Sequence, residues 1–148
     1  MVTLLYADTS SLIRAYLADE VEHAEFRELL LEGELPVVTS ELTRVEFASA
    51  VSAAQRGNRV EVSSYVIDRF DWDCGEEGAI TLLRLNSALL LPRARELVIG
   101  HAIPTLDAIH LAAALEQAAP LAAGDDLVMV TRDTRQAAVA AEKGLSVR

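Results

Sequence analysis

The chain of 148 residues is 51% hydrophobic and 24% charged, a balance that excludes a disordered protein and is typical of one domain with a sizeable core. Its formal net charge of −10 argues against a strong nucleic-acid binder with a basic face. The charge favours cation binding, a basic protein partner or solubility alone. The only cysteine, Cys74, excludes an internal disulfide and an all-cysteine metal site within one chain.

The start of the chain, MVTLLYADTSS, has neither a basic segment nor an apolar run of signal-peptide length. No segment has the roughly 18 uninterrupted apolar residues that a membrane span needs. We therefore expect a cytoplasmic protein that does not enter a membrane.

Short apolar runs alternate with longer alanine- and leucine-rich stretches along the chain. The apolar runs predict strands over Thr3–Ala7, Pro36–Thr39, Ile80–Leu83, Leu127–Thr131 and Leu145–Val147. Helical spacing predicts helices over Ser11–Leu17, Val21–Glu32, Ser40–Arg56, Val62–Phe70, Ser87–Ile99, Thr105–Ala118 and Thr134–Lys143. Left-handed helix ends are predicted at the glycines that follow four of these stretches, Gly33, Gly57, Gly100 and Gly144. The alternation predicts an α/β fold with a central parallel sheet of about five short strands flanked by helices on both faces.

Two acids stand just beyond predicted strands. Asp8 follows the first strand, and Asp133 follows the strand that ends at Thr131. Ligands of open parallel sheets bind beyond the carboxyl ends of the strands, so the two acids share one edge if their strands are neighbours. Helix capping is the alternative, and it explains Thr9 to Ser11 well but Asp8 only in part.

Two further acids interrupt apolar helix faces. Glu46 falls on the apolar stripe predicted for its helix, which consists of Leu42, Val45, Ser49, Ala50 and Ala53. A rim glutamate that reaches water is an equal alternative for this residue. Asp107 lies in a first helical turn and shares its face with His110, Leu111 and Ala114. Interaction with the helix dipole is the alternative for Asp107.

Together, Asp8, Glu46, Asp107 and Asp133 indicate a cation site. Clustered carboxylates repel one another and raise their own pKa values. The only lysine, Lys143, lies far along the chain and is not placed to compensate them. Mg²⁺ and Mn²⁺ prefer carboxylate oxygens, activate water and align phosphoryl oxygens for displacement. We therefore interpret the four acids as metal ligands, with capping as a secondary role.

The segments YADTSSLI, SELTRVEFASAV, TLDAIHLAAAL and VTRDTRQAAVAAEKGL resemble those of PIN-domain nucleases. More narrowly, they are similar to the VapC-type toxins of bacterial toxin–antitoxin pairs, in the same order and over nearly the full chain. The resemblance implies a single PIN domain over residues 1–148 with a PIN-like three-layer α/β fold. It also implies the activity of a Mg²⁺- or Mn²⁺-dependent endoribonuclease.

The same resemblance assigns roles to individual residues. Asp8, Glu46 and Asp107 match the acidic metal ligands of the family, and Asp133 matches a fourth acid that often acts through water or on a second ion. Ser10 and Thr131 match polar residues that orient the acids. The implied partners are an RNA substrate, a second copy in a homodimer and a cognate VapB-type antitoxin. Operator DNA would be bound only through the antitoxin.

Other reactive residues are interpreted more plainly. Arginines near the acids could meet RNA phosphates, although surface ion pairs are the favoured interpretation; they are Arg14, Arg44, Arg132 and Arg135. His110 is predicted to be a packed, hydrogen-bonded core residue outside the catalytic set. Cys74 is predicted to lie in a loop or the core and not to be a nucleophile. The leucines Leu89–Leu91 with Leu97 and Val98 fit either a dimer surface or the core.

Two rival functions use the same residues. An acidic, non-catalytic module that binds a basic protein partner agrees with the charge of −10. An aspartyl-phosphate phosphotransferase or hydrolase also places an Asp at a strand end, but its second acid would stand where Ser10 is. We rank the second rival below the first.

Overall fold

The computed structural model describes residues 3–148, so Met1 and Val2 of the predicted domain lie outside the described residues. The strands are β1 (Leu4–Ala7), β2 (Val37–Ser40), β3 (Ile80–Leu83), β4 (Leu127–Val130) and β5 (Ser146–Val147). The helices are α1 (Thr9–Tyr16), α2 (His23–Arg27), α3 (Leu42–Arg56), α4 (Ser63–Asp73), α5 (Ser87–Gly100), α6 (Thr105–Ala113), α7 (Ala119–Ala122) and α8 (Thr134–Glu142). Short π-helical segments, Glu28–Glu32 and Ala114–Ala118, extend α2 and α6.

The strands form one parallel sheet in the order β3-β2-β1-β4-β5. β1 is central and pairs with β2 on one side and with β4 on the other. The chain builds the sheet outward from β1 to β3 and then returns to the opposite side, so the strand order reverses between β1 and β4. This order confirms the predicted α/β fold and places a topological switch point beside the end of β1.

The residues of β1 alternate between two hydrophobic cores because successive strand side chains point to opposite faces. Leu4 and Tyr6 join the core that α5, α6 and α8 cover. Leu5 and Ala7 join the other core, which contains the ring of Phe47 from α3. All four β1 residues are buried, as expected for a strand covered on both faces. The fold therefore has three layers.

The glycine prediction is wrong at three of four positions. Only Gly144 is left-handed, with φ of 89°. Gly33 and Gly57 have φ of −81° and −85°, and Gly100 is the last residue of α5. After α3, the left-handed conformation is taken by Asn58, with φ of 59°, since asparagine tolerates this region better than most residues.

The apolar stripe predicted for α3 is also wrong. The helix buries Thr43, Phe47, Val51 and Ala54, whereas Val45 is 70% exposed. Thr43 is buried because its hydroxyl pairs with the hydroxyl of Thr39 at 2.7 Å, which satisfies a polar group in the core. The buried face is therefore displaced from the predicted stripe, and Glu46 lies at its margin.

No helix within residues 3–148 is both long enough and apolar enough to cross a membrane.

Candidate functional site

The carboxyl ends of β1 and β4 lie side by side. Ala7 is in register with Val130, and the Asp8 backbone N–H donates to the Val130 carbonyl at 3.1 Å. Asp8 and Thr131 are therefore adjacent although they are far apart in sequence. The strand-end acids do share one edge of the sheet.

Asp8 is 4% exposed and accepts hydrogen bonds from several groups. The Ser10 hydroxyl lies 2.8 Å from Oδ1, and the Thr131 hydroxyl donates to Oδ2 at 2.6 Å. The Ser11 backbone N–H also donates to Oδ1, at 3.0 Å, so Asp8 is the N-cap of α1. The sequence context explained Asp8 as a capping residue only in part, but the structure shows that it does cap α1. Burial raises the pKa of Asp8, although these hydrogen bonds oppose the rise.

Asp133 caps α8 in the same way. Its Oδ1 accepts from the Gln136 backbone N–H at 2.8 Å, and its own N–H donates to the Thr131 hydroxyl at 3.0 Å. The buried Gln136 side chain donates through Nε2 to the carbonyl of Asp107 at 3.1 Å. Gln136 therefore ties the end of β4 to the start of α6.

Asp107 lies half-buried in the first turn of α6. Desolvation raises its pKa to about 6, and the negative charges of Asp133 and Asp8 act in the same direction. Glu46 contributes a smaller rise of the same origin. All four predicted acids therefore interact electrostatically at this edge.

Glu46 reaches the edge from α3 with its side chain 21% exposed. Its Oε1 contacts Nε2 of His110 and accepts from the Thr9 hydroxyl at 2.9 Å. Burial raises the pKa of Glu46, but the contact with His110 and the Thr9 bond together hold it below its ordinary value. Glu46 is therefore an anchored carboxylate and not a side chain that extends into solvent.

This arrangement of strands and acids agrees with a known family. The model of the PIN domain family matches residues 5–142. The chain belongs to the PIN-domain family. The predicted resemblance to that family is thus confirmed. Among curated proteins, no match to the chain is found.

Solved structures share the fold of this PIN domain at low sequence identity. VapC20 of Mycobacterium tuberculosis, a toxin that cleaves the sarcin–ricin loop, has a TM-score of 0.66 and 14% identity, covering 91% of this chain and 94% of its own. The VapBC2 structure from Rickettsia felis, bound to a promoter DNA fragment, has a TM-score of 0.62 and 14% identity. The match covers 98% of this chain and 97% of that one. VapBC-1 from nontypeable Haemophilus influenzae has a TM-score of 0.61 and 17% identity. The match covers 98% of this chain and 96% of that one.

One contact of the acidic edge does not follow from the sequence pattern. His110 is a buried, hydrogen-bonded residue, as predicted, but it also contacts Glu46. A carboxylate only accepts, so Nε2 carries the hydrogen, and in the neutral ring Nδ1 accepts from the Tyr6 hydroxyl at 2.8 Å. The pKa of Tyr6 stays well above its usual value because the ring is buried. His110 stands three residues after Asp107, on the same helix face, and that spacing was the available signal.

Three of the four arginines form the ion pairs that the sequence favoured. Arg44 pairs with Asp71, while Arg14 and Arg132 both pair with Glu22. Within residues 3–148, Arg135 forms no such pair. Cys74 is partly buried, and burial first, then the charge of Asp71, raises the pKa of its thiol to about 12. The partly buried position of Cys74 at the end of α4 agrees with its predicted place in a loop or the core.

The donor set of this PIN domain fits a hard divalent cation. In the part of the chain that the structure describes, no three His, Cys, Asp or Glu side chains form a compact metal-ligand cluster. The pKa of Asp107 is nevertheless raised, first by desolvation and then by the negative charges of Asp133, Asp8 and Glu46. Carboxylate oxygens with partial exposure suit Mg²⁺ or Mn²⁺, which take oxygen ligands and keep several waters.

Proposed function

We propose that the chain is the toxin of a type II toxin–antitoxin pair, with residues 1–148 acting as a single PIN domain. Its activity would be that of a Mg²⁺- or Mn²⁺-dependent endoribonuclease that hydrolyses RNA phosphodiester bonds. The observation that carries the proposal is the placement of the acids at the switch point between β1 and β4. There Thr131 links Asp8 to Asp133, and Gln136 links the end of β4 to Asp107. Membership of the PIN-domain family supports it.

Asp8, Glu46, Asp107 and Asp133 would hold the cation. When bound, such a cation supplies charge neutralisation at phosphoryl oxygens and lowers the pKa of water. The side chains of Ser10 and Thr131 hold the Asp8 carboxylate in one orientation through their hydroxyls. A carboxylate fixed in this way needs no reorganisation when the charge of the reaction develops.

His110 would act as a positioning residue for Glu46. Its ring is 2% exposed, and it spans from the Tyr6 hydroxyl to the Glu46 carboxylate. Hydrogen-bond partners behind acidic ligands orient them and tune their basicity. The Thr9 hydroxyl fixes the same carboxylate oxygen from α1.

The partners follow from the proposed family role. The VapBC structures are of toxin–antitoxin complexes, and that of Rickettsia felis includes promoter DNA. By analogy, we propose a VapB-type antitoxin as the partner of this chain, with operator DNA bound only through the antitoxin. A homodimer is part of the same proposal.

Cleavage of a mixed cellular RNA pool by the purified, antitoxin-free protein tests the function. We expect discrete cuts with Mg²⁺ or Mn²⁺ that disappear with EDTA and in the Asp8→Ala variant. Circular dichroism of the variant checks that its fold survives. Cutting that persists in EDTA or in folded Asp8→Ala would refute the metal assignment.

An uncleaved RNA pool with cation-loaded protein would instead favour the acidic binding module. The charge of −10 is the observation behind this second candidate. In that case, Asp8→Asn should leave capture of a basic protein partner intact. If Asp8→Asn abolishes such capture, the binding-module candidate fails as well.

A further inference from the structure

Glu22 joins two arginines beside the acidic edge. Its Oε1 accepts from Nη1 of Arg14 at 3.1 Å, and its Oε2 accepts from Nη2 of Arg132 at 2.7 Å. All three side chains are partly shielded, with exposures of 25%, 30% and 35% for Arg14, Glu22 and Arg132. One carboxylate therefore bridges two guanidinium groups and compensates only one of their two positive charges.

The two guanidinium groups are held independently of Glu22. The Arg132 guanidinium lies 4.7 Å from the centre of the Phe26 ring, a cation–π contact. Arg14 also donates to the Val21 carbonyl at 3.2 Å. Both guanidinium groups therefore keep a partner when the Glu22 carboxylate is displaced.

Glu22 itself holds an unfavourable backbone conformation. It has φ of 63° and ψ of 22°, in the left-handed region, and its side chain makes no capping bond to α2. Such a conformation in a residue with a Cβ persists only where its surroundings enforce it. The carboxylate is thus directed at the arginine pair and not at the helix that it precedes.

The arginine pair opens onto the acidic site. A surface pocket of about 390 Å³ is lined by both arginines, by Thr9 and Ser10, and by two acids, Asp133 and Glu20. The Glu20 carboxylate is paired with Arg59 at 2.8 Å. The Arg132 backbone N–H donates to the Ser10 hydroxyl at 3.0 Å, and that hydroxyl contacts Asp8. An anion in the pocket would therefore lie beside the carboxylates proposed to act on the scissile bond.

We infer that Arg14 and Arg132 bind a phosphodiester of single-stranded RNA and that Glu22 occupies this phosphate site in the free protein. Two acceptor oxygens held between two guanidinium groups are the arrangement that a phosphodiester offers with its two non-bridging oxygens. RNA displaces the Glu22 carboxylate, which reduces non-productive binding of anions. This inference rests on the proposed function, because it takes RNA as the substrate of the adjacent acids.

Binding of a fluorescein-labelled single-stranded oligoribonucleotide, measured by anisotropy in EDTA at about 50 mM salt, tests the inference. The key variant is Glu22→Gln, which keeps the size of the side chain but removes its charge. The matched control is Glu25→Gln, since Glu25 is exposed on α2 and, within residues 3–148, forms no ion pair. Both variants change the net charge equally.

We expect Glu22→Gln to tighten RNA binding about tenfold more than Glu25→Gln does. This value follows if Glu22 fills the site about nine-tenths of the time, because apparent affinity scales with the fraction of open sites. Adding Arg132→Gln to Glu22→Gln should remove the tighter binding, and Arg132→Gln alone should weaken binding.

The inference is overturned if Glu22→Gln and Glu25→Gln bind RNA equally, or if the double variant binds as tightly as Glu22→Gln. It is also overturned if neither wild type nor Glu22→Gln binds at micromolar protein. A purely structural role for Glu22 would lower the melting temperature without tightening binding. Because the assay contains EDTA, a failure of cleavage would refute the proposed function without affecting this result.

Discussion

Replacing Asp107 with asparagine should stabilise the cation-free protein at neutral pH. Asp107 has a pKa of about 6 in the folded protein, above its ordinary value of 3.8, chiefly because of desolvation and then because of Asp133 and Asp8. The unfolded chain ionises more easily, so ionisation of Asp107 destabilises the folded state. The destabilisation develops as pH rises from 3.8 through 6 and is complete above this window. Asparagine carries no charge and avoids it.

The size of the effect follows from the shift in pKa. A shift of about two units corresponds to about 3 kcal/mol at roughly 1.36 kcal/mol per unit. Asp107 is only half-buried, so solvent screening reduces this upper bound to about 1 kcal/mol. For a chain of this length, that corresponds to a rise of about 3 °C in melting temperature.

Thermal unfolding with EDTA, followed by circular dichroism at pH 7.5 and pH 4, measures the effect. The Asp107→Asn variant should melt higher than wild type at pH 7.5, and the difference should vanish at pH 4. Asp68→Asn, at an exposed position of α4, is the control and should melt like wild type at both values. Equal melting of Asp107→Asn and wild type at pH 7.5 would refute the raised pKa of Asp107.

Three other substitutions probe the core and the Tyr6–His110–Glu46 connection. Phe47→Ala, at a residue with 0% exposure, should lower the free energy of unfolding in urea by about 3–5 kcal/mol, while Tyr65→Ala, at 74% exposure, changes it by less than about 0.5 kcal/mol. Tyr6→Phe leaves Nδ1 of His110 unpaired and should cost about 1–3 kcal/mol in the same measurement. His110→Gln should slow RNA cleavage about 10- to 100-fold through misplacement of Glu46, with little change in RNA affinity measured in EDTA; unchanged cleavage would contradict the positioning role.

Local patterns predict the sheet and its acidic edge well. β1 is an apolar run that is followed directly by Asp8. β4 is also an apolar run, and Asp133 follows it after two residues. These signals work because a buried parallel strand is apolar throughout, and an acid beyond its end lies outside the core. The pairing of β1 with β4 does not follow from these patterns, since strand order depends on contacts between segments far apart in sequence.

Side-chain partnerships in the core escape prediction. Periodicity leaves Thr43 off the buried face of α3, but its bond to Thr39 lets it enter the core, and this rotates the buried face. The apolar surroundings of His110 in sequence predict a packed, hydrogen-bonded residue but do not identify Glu46 as its partner. In both cases a polar group is buried because a distant residue satisfies it, and a single sequence does not record that partner.

Cation binding measured without RNA tests the central claim most directly. Titration of Mn²⁺ into the purified protein, with free Mn²⁺ followed by electron paramagnetic resonance, compares wild type with Asp8→Asn, Asp107→Asn and the control Glu25→Gln. The account predicts saturable binding by wild type and Glu25→Gln and a large loss of affinity in both aspartate variants. Equal binding by all four proteins, or no binding by wild type, would contradict the claim that these carboxylates form a divalent-cation site.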